Sequence, residues 1–286
     1  AKAKSVTDTY GGSPYDSYEA LLSDPSINAV YIPLPNALHF PYVKMALGYG
    51  KHVLVEKCLG CNLEEVDELV DVAAKENLIL LENFQFRFHS QLKTILQLVK
   101  SGEIGDLRSV KVAFGFPPLE VNNIRYKKEL GGGALMDAGA YAMKIAPYFL
   151  GPDIFVAQAS MENDLDSGVD IWGSGVLKQT KGKLCCQFSY GFDNFYQCSL
   201  ELWGSKGKLS TNRIFTAPPN MEPNIIIETN NDVREHTLPA DNHYVNMLTY
   251  FHSLATDGDS KFDEHNGNIL QATLLNQFKH IASKIS

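Results

Sequence analysis

From the N-terminus to residue 104, short apolar runs alternate with stretches whose apolar residues recur at helical spacing. The segment 18–23 reads as a short helix, 29–33 as a buried strand and 40–47 as a helix ending near Gly48. The run 53–55 is the next strand, and Asn62 is placed to cap a helix over 63–75 whose Val66, Leu69, Val70 and Ala73 share one face. An apolar strand over 78–81 and a helix over 91–99 extend the alternation, which predicts βαβ units and a parallel sheet. After Gly105 the period changes. Segments 110–116, 154–161, 171–179, 183–190, 195–203 and 208–212 are strand-like, several alternating apolar with polar residues, and Gly182, Gly204 and Gly207 mark turns. Helices over 242–255 and 268–283 follow. The pattern predicts an α/β protein with a parallel-sheet domain over 1–104 and an α+β domain with a large, mostly antiparallel sheet over 105–286.

Composition narrows the setting. The 286 residues are 44% hydrophobic and 20% charged, ordinary for one large or two ordinary globular domains. A formal net charge of -8 argues against nonspecific nucleic-acid binding, which needs an excess of Lys and Arg, but leaves room for an anionic small molecule at a local basic cluster. No apolar run approaches about eighteen residues and the polar N-terminus shows no signal-peptide pattern, so neither a membrane span nor export is expected. Cys58, Cys61, Cys185, Cys186 and Cys198 are odd in number, which suits free thiols in a reducing cytoplasm. Cys58-Leu59-Gly60-Cys61 has the C-x-x-C form, yet with no second pair and no thioredoxin-like context it reads as packing.

Candidate chemistry gathers at the carboxyl ends of the early strands, where open α/β sheets bind ligands. In Tyr31-Ile32-Pro33-Leu34-Pro35-Asn36-Ala37-Leu38-His39, Pro35 stiffens the strand exit. Asn36 fits two roles there, an amide for a ribose or nicotinamide and a cap for the helix starting near Ala37, while His39 in that helix's first turn reads as packing or capping. Glu56-Lys57 ends the next strand, and 81–88 is either a core strand entering a loop or a crevice wall presenting Gln85 and Arg87. Gly131-Gly132-Gly133 before an apolar helix reads as an anion-binding nest or as a flexible turn. On that helix Asp137 and Tyr141, at i and i+4, share a face. Arg125, Lys127 and Lys128 upstream form the densest basic patch, either a solvated face or a contact for a substrate phosphate. Lys57 and Tyr141 are both placed to reach one carbonyl oxygen. No G-x-G-x-x-G follows an apolar strand, so the usual pyrophosphate cradle is missing.

Taken in order, Pro35-Asn36-Ala37-Leu38-His39, His52-Val53-Leu54-Val55-Glu56-Lys57, Arg87-Phe88-His89, the stretch 131–141 and Gly204-Ser205-Lys206-Gly207-Lys208-Leu209 resemble the glucose–fructose oxidoreductase, inositol dehydrogenase and MocA family over essentially the whole chain. The resemblance implies a Rossmann domain holding NAD or NADP, then a sheet domain supplying substrate contacts and the face of a homodimer or homotetramer. Lys57 matches the lysine of the family's E-K-P motif, with Cys58 replacing the proline. Asp137-Ala138-Gly139-Ala140-Tyr141 stands where many members carry D-x-G-x-H, which places the chain on a tyrosine branch. Carried over by residue, the resemblance makes Lys57 and Tyr141 catalytic. It makes Pro35, Asn36, His39, Glu56, Lys57, Gln85 and Arg87 cofactor-binding, and Lys57, Arg125, Asp137 and Tyr141 substrate-binding, with no metal. Tyr141 would be the acid toward a ketone or the base toward an alcohol, with the Lys57 ammonium favouring its phenolate.

The implied reaction is hydride transfer between NAD(P) and a sugar, the favoured substrate being a nucleotide-linked keto-deoxysugar and the alternative a free sugar or polyol. Residues 1–10 match the helix after the family's second strand, so the expected Rossmann-like domain is incomplete. A noncatalytic binding or assembly module that has lost its dinucleotide site is therefore a further reading.

Overall fold

The structure is a computed structural model that describes residues 2–257 and 261–284. Helices α1 (Lys2–Tyr10) and α2 (Tyr18–Ser23) precede β1 (Ala29–Ile32), followed by α3 (Asn36–Gly48), β2 (His52–Glu56), α4 (Leu63–Lys75), β3 (Leu80–Asn83) and α5 (Ser90–Lys100). The three strands pair in parallel in the order β1-β2-β3, with Val30 opposite Val53 and Val53 opposite Leu80. The predicted cap of α4 forms by side-chain chemistry. Asn62 accepts the Glu65 N–H at 2.8 Å while the Glu65 carboxylate takes the Cys61 N–H at 2.7 Å, which satisfies two donors at the start of α4. At α3 the expectation is corrected: the helix starts on Asn36 itself, Pro35 occupies the cap position with φ −61°, and no side chain caps it.

One face of this sheet buries Val53, Val55 and Leu80 against Val43 and Leu47 of α3 and Val66, Leu69 and Ala73 of α4. β1 departs from its reading as a buried strand. It pairs with β2 alone and is an edge of the sheet among the described residues, so Tyr31 is 52% exposed. Beside that edge an apolar cavity of ≈ 650 Å³ opens against α1 and α2, lined by Val6, Leu21, Val30 and Ile32 among others.

The second part comprises β4 (Leu107–Gly115), α6 (Ala140–Ile145), α7 (Pro147–Leu150), β5 (Ile154–Asn163), β6 (Asp170–Gln179), β7 (Cys185–Gly191), β8 (Gln197–Gly204), β9 (Gly207–Asn212), β10 (Asn224–Thr229), β11 (Val233–Thr237), α8 (His243–Asp257) and α9 (Lys261–Ala282). Its eight strands run in the order β11-β10-β9-β8-β4-β7-β6-β5, antiparallel except for β4 against β7. Sequence reading missed β10 and β11. β11 is an edge strand with almost every residue exposed, so it carries no apolar alternation to read. The boundary at residue 104 separates the two sheets but not their cores. Met247, Phe251 and Leu254 of α8 cover Leu54, Ile79 and Leu81 on the other face of the parallel sheet, and Ala272 of α9 joins the core of α3 and α4. No helix among the described residues is long and apolar enough to cross a membrane.

The two sheets meet around an ion pair that the sequence did not announce. Lys144 on α6 donates to the Glu82 carboxylate on β3 at 2.9 Å, and Glu82 also accepts the Leu59 N–H at 3.0 Å. Both side chains are buried, and the Lys144 ammonium lies 5.1 Å from the Phe84 ring centroid. Such a pair fixes register more than it adds net stability, but stripping one partner leaves the other charge desolvated and uncompensated. Lys144→Met is therefore expected to lower the unfolding free energy in a urea titration by about 3 kcal/mol, with Glu82→Leu in the same chain recovering part of the loss.

Candidate active site

Lys57 follows the last residue of β2, and its ammonium reaches across to the turn that precedes α6. It donates to the Asp137 carboxylate at 2.5 Å and to the Asp137 carbonyl at 3.0 Å. The other carboxylate oxygen of Asp137 accepts from the Arg125 Nε at 2.7 Å, so one acid bridges two cations drawn from separate segments. Asp137 lies in a single π-helical turn, Leu135–Gly139, the kind of widened turn that recurs at functional sites. Tyr141 stands two residues beyond it on α6, 6% exposed, with its ring 5.4 Å from the Lys57 ammonium. Phe84 and Phe114 meet that ring edge-on at 5.2 and 5.1 Å, Phe86 and Phe215 lie tilted against it, and the Gln85 amide approaches its hydroxyl at 3.4 Å.

Burial works against the Lys57 charge, but the Asp137 carboxylate outweighs it, helped by Tyr141 and Cys58, and holds the ammonium above the ordinary lysine range. Burial likewise opposes the Asp137 charge, and Lys57 and then Arg125 overcome it, keeping the carboxyl below its usual value. At Tyr141 the balance goes the other way. Burial pushes the phenol up to about 12, and the lowering pull of Lys57 and Gln85 does not offset it. Lys57 does favour the phenolate, as expected, but burial is the larger effect and the phenol is protonated at neutral pH.

The remaining sequence candidates divide. Asn36 neither caps its helix nor leaves its amide idle: it donates to the Gly131 carbonyl at 2.8 Å and accepts the Cys58 N–H at 3.2 Å, a donor that the family's usual proline lacks. Glu56 accepts from Asn83 at 2.7 Å and from the Tyr31 hydroxyl at 2.5 Å. Pro35, Asn36, Glu56, Lys57, Arg125 and Asp137 together wall a cavity of ≈ 170 Å³. Two cofactor candidates are corrected. His39 is fully buried with both ring nitrogens 2.6 Å from backbone carbonyls, of Cys58 and Leu34, so it has no polar edge to offer. Arg87 turns away to a two-pronged bond with Glu264 of α9, at 2.6 and 3.0 Å, and to the Tyr148 hydroxyl. The glycine nest is a turn after all: the N–H groups of Gly131, Gly132 and Gly133 donate to the carbonyls of Lys128, Lys127 and Arg125. The C-x-x-C thiols are free, and burial lifts Cys58 to about 12 while its Sγ points at the Met136 carbonyl.

Sequence reading also missed Asn83, Lys144 and the aromatic cage. A lysine within the apolar stretch 138–146 was the available signal for Lys144, whereas the cage assembles from Phe84, Phe86, Phe114 and Phe215, which no spacing connects. Asn83 Oδ1 is buried without a partner at the carboxyl end of β3, beside Glu56 and Gln85. An orphan acceptor there fits a ribose hydroxyl or a carboxamide, so the residues present suit the nicotinamide end of a dinucleotide. Among the described residues no glycine-rich strand-to-helix turn stands ready for a pyrophosphate.

Comparison with known proteins decides the lineage. Residues 1–84 match the oxidoreductase family with an NAD-binding Rossmann fold, and residues 92–210 match the GFO/IDH/MocA C-terminal domain. The chain belongs to the GFO/IDH/MocA oxidoreductase family. It is 34% identical over 274 residues to the dTDP-3,4-didehydro-2,6-dideoxy-alpha-D-glucose 3-reductase of Actinomadura kijaniata, covering 96% of this chain and 82% of that protein. Its identity to the protein of the same name from Saccharopolyspora spinosa is 40% over 251 residues, 88% of this chain and 75% of the relative. The solved structure of a 3-ketoreductase from Actinomadura kijaniata with NADP and TDP-benzene superposes with a TM-score of 0.94 at 33% identity, covering 98% of this chain and 86% of that one. The fold class and family expected from the motifs stand, as does NAD or NADP as the family's cofactor.

Gly131 is where the two halves of this site press closest. Its φ is +72°, and a Cβ would lie 2.9 Å from the Asn36 Cβ and 3.0 Å from the Ala37 nitrogen. Gly131→Ala is expected to lower stability by about 1–3 kcal/mol and, by forcing α3 away from the turn, to weaken dinucleotide binding in a fluorescence titration.

Proposed function

We propose that this chain is an NAD(P)-dependent ketoreductase acting on a keto group of a nucleotide-linked deoxysugar. The observation that carries the reading is a buried, protonated phenol, Tyr141, beside a lysine ammonium held charged by Asp137. A nicotinamide held at the Asn83 end of β3 would supply the hydride for the substrate's carbonyl carbon. Tyr141 gives its proton to the carbonyl oxygen, Lys57 stabilises the phenolate left behind, and the Gln85 amide donates to that phenolate oxygen. The ring cage of Phe84, Phe86, Phe114 and Phe215 keeps water from the phenol. Pro35, Asn36, Glu56, Asn83 and Gln85 line the cofactor side. Arg125, with Asp137 behind it, faces the substrate, next to the exposed Lys127 and Lys128 as contacts for its phosphates.

Purified protein mixed with NADPH is expected to oxidise it in the presence of a nucleotide-linked ketosugar and not with simple sugars; the reverse preference overturns the substrate assignment. Tyr141→Phe should lower kcat about 10²–10⁴-fold with an unchanged circular dichroism spectrum. Because the phenol stays protonated until about 12, ketone reduction should be level above pH 7, whereas alcohol oxidation, which needs the phenolate, should rise about tenfold per pH unit.

The same reading includes a homo-oligomer, dimer or tetramer, in a reducing cytoplasmic setting that suits five free cysteines. What supports an oligomer is the open face of the eight-stranded sheet, which exposes Phe155, Trp172 and Trp203. Light scattering on a sizing column should return a multiple of 31.7 kDa, and Trp203→Glu should shift it toward the monomer.

A further inference from the structure

Asp170 begins β6, far from the other charged groups of the site in sequence, and a bulge decides where it points. On β5 the partners Asn163 and Glu162 are adjacent, while the residues they face, Asp170 and Trp172, are two apart, so Ile171 is the extra residue. In an unbulged strand Asp170, two residues before Trp172, would share its exposed face; the bulge turns the carboxylate inward, as bulges beside active sites re-aim side chains. One carboxylate oxygen accepts the Leu135 N–H at 2.6 Å, at the start of the π-helical turn. The other rests against Gly133, where φ is +115° and a Cβ would come within 2.3 Å of it. The far end of the turn is held from the neighbouring strand: Tyr190 of β7 packs on Gly139, whose Cβ would lie 3.0 Å from the ring. The Tyr190 hydroxyl is buried, with the Asp170 carboxylate the charge beside it.

We propose that Asp170 is a positioning residue whose ionised carboxylate fixes the turn 133–139 and, through it, sets Asp137 and Tyr141 for proton transfer. The role rests on the ketoreductase reading for its kinetic part and on the geometry of the turn for its structural part. Asp170 touches neither reacting partner. It acts through the Leu135 amide, and the turn it clamps carries Asp137 directly and leads into Tyr141.

Burial pushes the Asp170 carboxyl up to about 6 against the pull of the Leu135 N–H, its own backbone N–H, Lys279 on α9 and Tyr190 on β7, the last two being the titratable groups that reach it from packed elements. The ordinary value is 3.8, so the folded state favours the protonated form. Its contribution to stability is present below the ordinary value and is lost as pH rises through about 6. At pH 8 the ionised group therefore stands at the expense of stability, as functional charges often do.

The test compares wild type with Asp170→Asn, whose amide oxygen still accepts the Leu135 N–H without ionising. For wild type, kcat for ketone reduction should fall about tenfold per unit below pH 6 toward the level of the Asn variant, while the variant is level from pH 5 to 8 and its KM is unchanged. At pH 8 the variant should melt about 2–4 °C higher, the opposite of what loss of a merely structural bond gives. Amide exchange over 131–141, read without any turnover, should quicken in wild type as pH falls through 6 beyond the intrinsic trend, and should lack that step in the variant. An acid limb that persists in Asp170→Asn, or the same exchange step in both proteins, overturns the proposal. An exchange step confined to wild type, together with no oxidation of NADPH in the presence of nucleotide-linked ketosugars, instead overturns the ketoreductase reading and leaves the clamp on the turn standing.

Discussion

A single carboxylate, that of Asp137, holds the Lys57 ammonium and the Arg125 guanidinium in one place. Three segments meet there: the exit of β2, the loop after β4 and the turn before α6. Two cations around one anion leave the centre with an excess positive charge in a largely desolvated spot, the sign that favours a developing alkoxide or phenolate and a phosphate-bearing substrate. Without the acid, burial would act on the Lys57 charge with its main counter-charge gone. The charge of the centre therefore depends on ion pairs made within the protein itself.

Low dielectric acts in both directions around that centre. The aromatic rings that shield Tyr141 take part in the burial that raises its phenol and keeps it protonated. Behind the rings, Glu82 and Lys144 form a second buried pair that ties β3 and the residues after Lys57 to α6, so the phenol and the ammonium are set by neighbouring parts of one network. Asp170 adds a third buried acid from the far sheet. The parallel sheet supplies Lys57, the helix after the turn supplies Tyr141, and the antiparallel sheet braces the turn between them.

Several residues that read as ligands hold the frame instead. His39 and Arg87 spend their polar atoms on Leu34, Cys58, Glu264 and Tyr148, and the three glycine amides on a local turn. A buried donor or acceptor must find a partner, and for these groups the nearest partners are protein atoms. Residues at the strand ends lie close to the crevice, yet Gln85 and Arg87 sit two apart in a 3₁₀ turn, Gln85–Phe88, whose three residues per turn send them to different sides, which is how Gln85 reaches Tyr141 while Arg87 does not.

What the sequence by itself determined was local and periodic: the βαβ alternation, the Asn62 cap, the strands of the large sheet except β10 and β11, and the order of motifs that places the chain in its family. Lys57, Asp137 and Tyr141 were legible because strand ends and helical spacing bring them into reach without knowledge of the rest of the chain. Tertiary structure alone decided the cage around Tyr141, the net direction of its pKa, the Glu82–Lys144 pair and the inward turn of Asp170. Each of these depends on desolvation or on contacts between residues far apart in the chain, and neither quantity is encoded in the spacing of residues along it.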